Sequence, residues 1–113
     1  MKDKVVLLND NNFENIISEN ELVLVDVYTS WCGPCKAMSP IIDELSSYFE
    51  NKAIISKIDA DSNTDTAIKL NVRSVPTIIL FKGGVEVERQ VGAKSKNELI
   101  KLIEKFQSDI LTN

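Results

Sequence analysis

The sequence predicts an α/β protein, a central mixed sheet with helices on both faces, in the order βαβαβαββα. Three observations carry that expectation. The run LVLVDVY at 22–28 is almost continuously apolar and valine-rich, the pattern of a strand buried on both faces. Strand-like and helix-like periods then alternate along the chain, which implies parallel strands joined by right-handed crossovers. Near the end, TIILF (77–81) and VEVERQV (85–91) are joined across Lys82-Gly83-Gly84, a hairpin signal that implies an antiparallel edge.

The elements follow in order. KVVLL (4–8) is a short apolar strand, and Asp10-Asn11-Asn12 after it can cap a helix that buries Phe13, Ile16 and Ile17. The 22–28 strand comes next, and after Pro34 the period changes. Met38, Ile41, Ile42, Leu45 and Phe49 mark the core stripe of a longer helix, with a kink expected at Pro40. AIISKID (53–59) is the third strand, and Thr64 to Leu70 a short helix. The hairpin follows. Ser95 and Glu98 then form a capping-box pattern ahead of a helix carrying Leu99, Leu102, Ile103 and Phe106.

With 113 residues, 43% of them hydrophobic and 27% charged, one domain over 1–113 is expected. The net charge of -4 gives no basic footprint, so nucleic acid is not expected as a partner. The apolar run near Met1 stops after four residues, too short for a secretory signal, and no stretch suits a membrane span. A cytoplasmic, monomeric protein with no membrane association is expected.

Both cysteines lie within TSWCGPCKAM (29–38). A closed zinc site uses four ligands, whereas this chain has two cysteines and no histidine. No metal site is expected. A structural staple over so short a loop would remove little entropy from the unfolded chain. A reversible redox pair fits better. Cys32 falls at a strand-to-helix turn, where free N–H groups and the helix dipole stabilise a thiolate and lower the thiol pKa. Cys35 lies about one turn later, deeper in the helix. Pro34 suits the first turn, where its missing N–H costs nothing, and Gly33 leaves room for a substrate beside an exposed Cys32 sulfur.

WCGPCK, with Asp26 before it and RSVPT (73–77) after it, resembles the thioredoxin family, in register along nearly the whole chain. The resemblance implies the thioredoxin fold and a thiol-disulfide oxidoreductase with Cys32, Cys35 and Asp26 as catalytic residues. It implies a buried Asp26 beneath the cysteines, its pKa raised by desolvation, taking the proton of Cys35. The plainer reading of Asp26 is a carboxylate at an exposed strand end. Lys57 matches a family lysine near that carboxyl and joins Gly33 and Pro34 as a redox-tuning residue; its plainer reading is a surface lysine.

By the same resemblance the Val75–Pro76 bond is cis, and the Val75 backbone pairs with an extended substrate segment. Pro76 could instead be an ordinary first-strand proline, and Gly92 a strand-end glycine. Trp31, Val75, Pro76, Gly92 and Ala93 would form a substrate-binding apolar rim with Gly33 and Pro34. Tyr28, Thr29 and Ser30 depart from the family pattern and introduce hydroxyls near the cysteines.

The implied activity is protein-disulfide reduction: Cys32 attacks a partner disulfide, and Cys35 resolves the mixed disulfide. No bound cofactor is expected, since the Cys32–Cys35 disulfide carries the electrons. Expected partners are oxidised protein substrates and a thioredoxin reductase, an NADPH-linked flavoprotein. The alternatives are a disulfide oxidant or isomerase on the same fold, and a non-redox accessory subunit. The missing histidine argues against the oxidant, whose relatives usually carry one between the cysteines.

Overall fold

A computed structural model describes residues 4–107; the expected domain over 1–113 extends beyond them at both ends. The elements are β1 (Val6–Leu8), α1 (Phe13–Glu19), β2 (Leu22–Tyr28), α2 (Gly33–Tyr48), β3 (Ile54–Asp59), α3 (Thr64–Lys69), β4 (Thr77–Lys82), β5 (Val85–Val91) and α4 (Lys96–Phe106). This is the expected order. The five strands lie β1-β3-β2-β4-β5, with β1–β3 and β2–β3 parallel and β2–β4 and β4–β5 antiparallel. The antiparallel part therefore extends from the edge to the middle of the sheet, because β4 enters beside β2.

The alternation of β2 explains its double burial. Leu22 and Leu24 face one way, into a core built with Met38, Ile42, Leu45 and Phe49 of α2 and Leu99 and Ile103 of α4. Val23, Val25 and Val27 face the other way, with Phe13 and Ile17 of α1. Both faces are thus covered by helices, the condition under which a strand reads as continuously apolar. Leu24 is fully buried, and truncation to alanine should cost roughly 2–5 kcal/mol. Asp26 and Tyr28 continue the Leu22–Leu24 parity, which places a carboxylate on the face under α2.

Local chemistry sets the element ends. Asn12 stands at the N-cap of α1 but makes no side-chain cap bond. Its Oδ1 instead accepts from the Asn9 N–H at 2.8 Å, while Asn9 Oδ1 accepts from the N–H groups of Asn11 and Asn12. The turn is held by an asparagine exchange rather than by a helix cap. Helix α2 runs unbroken through Pro40, an exposed residue whose missing N–H leaves the Lys36 carbonyl without its helical donor. The capping box at α4 is present, with the Ser95 N–H donating to Glu98 Oε1 and the Glu98 N–H to Ser95 Oγ. In the hairpin Lys82 pairs with Val85, so Gly83 and Gly84 alone make the turn, at φ 60 and 82. A register shift between Leu80 and Phe81 leaves Val87 as the extra residue of a bulge on the β5 edge.

Candidate functional site

Register brings one set of chain segments to one end of the sheet. Tyr28 at the end of β2 pairs with Asp59 at the end of β3, and Val27 pairs with Thr77 at the start of β4. Thr77 in turn pairs with Val91 at the end of β5. The segments leaving this end are therefore Thr29–Cys32, Ala60–Asn63, the residues before Thr77, and Gly92–Ala93. They contain Trp31, Cys32, Val75, Pro76, Gly92 and Ala93; Gly33, Pro34 and Cys35 follow in the first turn of α2, and Asp26 and Lys57 lie within β2 and β3.

Cys32 is the N-cap of α2, in extended backbone, and its Sγ accepts the Cys35 backbone N–H at 3.1 Å. A sulfur here occupies the place that a Ser or Asp oxygen takes in an ordinary N-cap, facing the positive end of the helix. Gly33 and Pro34 fill the first two helical positions, both exposed, and Cys35 is third. The two sulfurs are joined as a disulfide, with Cα atoms 5.3 Å apart. Each cysteine is 5% exposed, so the expected exposed Cys32 is corrected for the oxidised pair, while Cys35 lies deeper in the helix as expected. A β-carbon at Gly33 would meet nothing within 4 Å, so the space beside the pair is open.

Asp26 is 3% exposed, which rules out the exposed strand-end reading. Burial pushes its pKa up from 3.8 to about 7, and the Lys57 charge opposes that rise. Lys57 is half-buried and opposite Asp26 in the ladder, with its Nζ 5.7 Å from the Tyr28 ring centre. It is not a plain surface lysine. Asp26, Tyr28, Thr29, Cys35, Ser39 and Lys57 share a cavity of about 190 Å³. Cys35, not Cys32, reaches this cavity.

Around the cysteines, Trp31 is 69% exposed and its Nε1–H donates to Asp61 Oδ2 at 2.7 Å. Asp61 was not legible as a site residue; its only signal is its place just after β3, at the shared end of the sheet. The Val75–Pro76 bond is cis, Val75 is half-buried and Pro76 buried. The Gly92 N–H donates to the Pro76 carbonyl at 2.8 Å, and Gly92 has φ 95, so both strand-end geometry and proximity to Pro76 apply to it. Ala93 is exposed. Among the described residues no group of three or more His, Cys, Asp or Glu side chains could hold a metal ion.

Comparison with known proteins gives the same answer. The Thioredoxin family model matches residues 4–105. Thioredoxin 2 of Chlorobaculum tepidum is 40% identical over 105 residues, covering 92% of this chain and 96% of that protein. The bifunctional thioredoxin reductase/thioredoxin of Mycobacterium leprae is 42% identical over 101 residues, covering 89% of this chain and 21% of that protein. The solved structure of thioredoxin NaTrxh from Nicotiana alata superimposes with a TM-score of 0.87 at 37% identity, covering 96% of each chain. A helix-capping disulfide at one end of a five-stranded mixed sheet, and sequence likeness along almost the full length, place this chain in the thioredoxin family.

Proposed function

We propose that this chain reduces disulfides in other proteins by dithiol–disulfide exchange, with Cys32 as nucleophile, Cys35 as resolving thiol and Asp26 as the base that serves Cys35. The chain is a thiol-disulfide oxidoreductase by family, and neither the oxidant nor the accessory-subunit alternative is favoured. The observation that carries the assignment of roles is the asymmetry of the pair. Cys32 Sγ receives an N–H at the start of α2, whereas Cys35 faces the cavity that holds Asp26.

In the reduced protein the helix start favours a Cys32 thiolate, which attacks one sulfur of a partner disulfide and expels the other as thiolate. Cys35 then loses its proton to Asp26, and its thiolate attacks Cys32 Sγ. The bond from Cys32 to the partner breaks, the partner leaves reduced, and Cys32–Cys35 is left oxidised. A carboxyl with a pKa of about 7 is matched to this transfer near neutral pH. Lys57, Gly33 and Pro34 tune the pair. Trp31, Val75, Pro76, Gly92 and Ala93 form the docking rim, in which Trp31 and Ala93 are exposed and the Val75 backbone is suited to pair with an extended substrate segment.

Two electrons must be returned after each cycle. We assign that step to a thioredoxin reductase of the NADPH-linked flavoprotein class; the reductase fused to the M. leprae relative supports this. A cytoplasmic site of action suits a reversible disulfide. Among the described residues no helix is long and apolar enough to cross a membrane.

Insulin reduction driven by dithiothreitol tests the reading. The native chain should turn over, Cys32→Ser should be inactive, and Cys35→Ser should accumulate a mixed disulfide through Cys32. Normal turnover by Cys35→Ser would refute the resolving role.

A further inference from the structure

Two buried side-chain oxygens lack a hydrogen-bond partner among the described residues: Asp26 Oδ1 and Thr29 Oγ1. Both residues are more than nine-tenths buried, and both line the same cavity as Cys35. Native proteins rarely leave such groups unsatisfied; where the space is polar and roomy, a bridging water completes them. Here the cavity measures about 190 Å³. A water takes up roughly 30 Å³ in the liquid. The hydroxyl is also able to donate and accept at once, which a carboxylate is not.

We propose that Thr29 is a positioning residue for the resolving step: its hydroxyl and Asp26 Oδ1 together hold the water that carries the Cys35 proton to Asp26. This rests on the reading of Asp26 as the base for Cys35. In the step the Cys35 S–H bond breaks and its proton passes to the water, which gives one of its own protons to Asp26. The Cys35 thiolate forms the bond to Cys32 Sγ, and the partner sulfur leaves with the electron pair of the broken mixed disulfide. Thr29 neither gains nor loses a proton. It fixes the donor–acceptor line, so its removal slows resolution and leaves the attack by Cys32 untouched.

The charged and titratable groups facing this water come from three elements: Asp26 and Tyr28 on β2, Lys57 on β3, and Lys36 on α2, besides Cys35 itself. Lys57 draws the Asp26 proton off, while burial of Asp26 holds it on. A donor lost from Thr29 removes support for the ionised carboxylate, so the pH at which resolution is half-maximal should rise.

The test mixes reduced protein with oxidised insulin in single-turnover, quenched-flow mode, following formation of the Cys32 mixed disulfide and then its decay. Thr29→Val keeps the shape and deletes the hydroxyl, Thr29→Ser keeps the hydroxyl, and Thr29→Ala is a second hydroxyl-free variant should valine disturb folding. In Thr29→Val, decay should slow about 5-fold, the worth of one hydrogen bond, at an unchanged rate of formation. Its pH midpoint should move upward, and Thr29→Ser should restore both rate and midpoint. Native-speed decay in the hydroxyl-free variants overturns the proposal, as does a serine variant as slow as valine, since shape would then be what counts. Asp26→Asn separates the two levels. Slow decay in it beside native decay in Thr29→Val removes only the role of Thr29, whereas native-speed decay in Asp26→Asn removes the Asp26 base and this proposal with it.

Discussion

Asp26 on β2 stands directly opposite Lys57 on β3 in the parallel ladder, and burial outweighs that cation in setting the affinity of the carboxyl for its proton. The folded-state pKa of about 7 lies above the unfolded value of 3.8. The stabilisation from holding this proton is fully present below the unfolded pKa and is lost as pH rises through the folded one. The gap of about 3 units corresponds to about 4 kcal/mol. Asp26→Asn cannot ionise, so it should be more stable than the native chain by roughly 2–4 kcal/mol at about pH 8.5, and the difference should shrink toward zero near pH 4. Urea unfolding at the two pH values checks this; an equal gap at both would contradict it.

Lys57 acts in the opposite direction to burial. Its charge lowers the Asp26 pKa, and its ammonium lies 5.7 Å from the centre of the Tyr28 ring. Lys57→Met removes the charge and keeps most of the apolar stem. Asp26 should then be harder to ionise, and decay of the mixed disulfide at neutral pH should slow by roughly 2–5-fold, with recovery at higher pH. Lys57→Arg should retain most of the rate. A methionine variant slowed equally at every pH would show that the lysine acts through something other than Asp26.

Trp31 and Asp61 meet across 30 residues, and the bond is exposed. Trp31 is the only tryptophan, so tryptophan fluorescence reports on this ring alone. Asp61→Ala should lower the anisotropy of that fluorescence by freeing the ring, and raise the KM for a protein disulfide by roughly 2–5-fold through loss of a preordered docking surface. Stability should change by less than about 0.5 kcal/mol, as expected for an exposed site. Unchanged anisotropy would mean that packing, not the hydrogen bond, holds the ring.

Local pattern made most of this legible. The valine-rich β2, the Gly83-Gly84 turn and the Ser95–Glu98 box are written within a few residues, and each formed where expected. The cysteine chemistry was legible for the same reason: N-cap position, Pro34 and Cys35 all fall within one helical turn. What sequence leaves open depends on partners far along the chain. Asp10 Oδ1 accepts from both the Thr66 N–H and the Thr66 hydroxyl, tying the start of α3 to the loop before α1. Nothing near Thr66 announces that acceptor. The placement of β4 against β2 is likewise a decision about which sheet edge is free after the crossovers, and it sets the shared end on which the site is assembled. The burial of Cys32 is likewise set by the fold around the pair rather than by the motif itself.

Gly92 offers a test of that shared end. Its N–H donates to the Pro76 carbonyl at 2.8 Å, and its φ of 95 lies where side-chain-bearing residues are strained. A β-carbon there would meet nothing within 4 Å, so any penalty comes from the backbone rather than from a clash. Gly92→Ala should lose about 1–3 kcal/mol of stability. Asparagine tolerates positive φ better than alanine and β-branched residues tolerate it worse, so the loss should grow in the order Asn, Ala, Val. If the chain relieves the strain by moving away from Pro76, formation of the mixed disulfide should slow in the same order, because the docking rim loses its hold on the segment before β4. Denaturant midpoints and single-turnover rates measured on the three variants check both trends. Equal losses for all three residues would show that the positive φ at position 92 does not set the penalty.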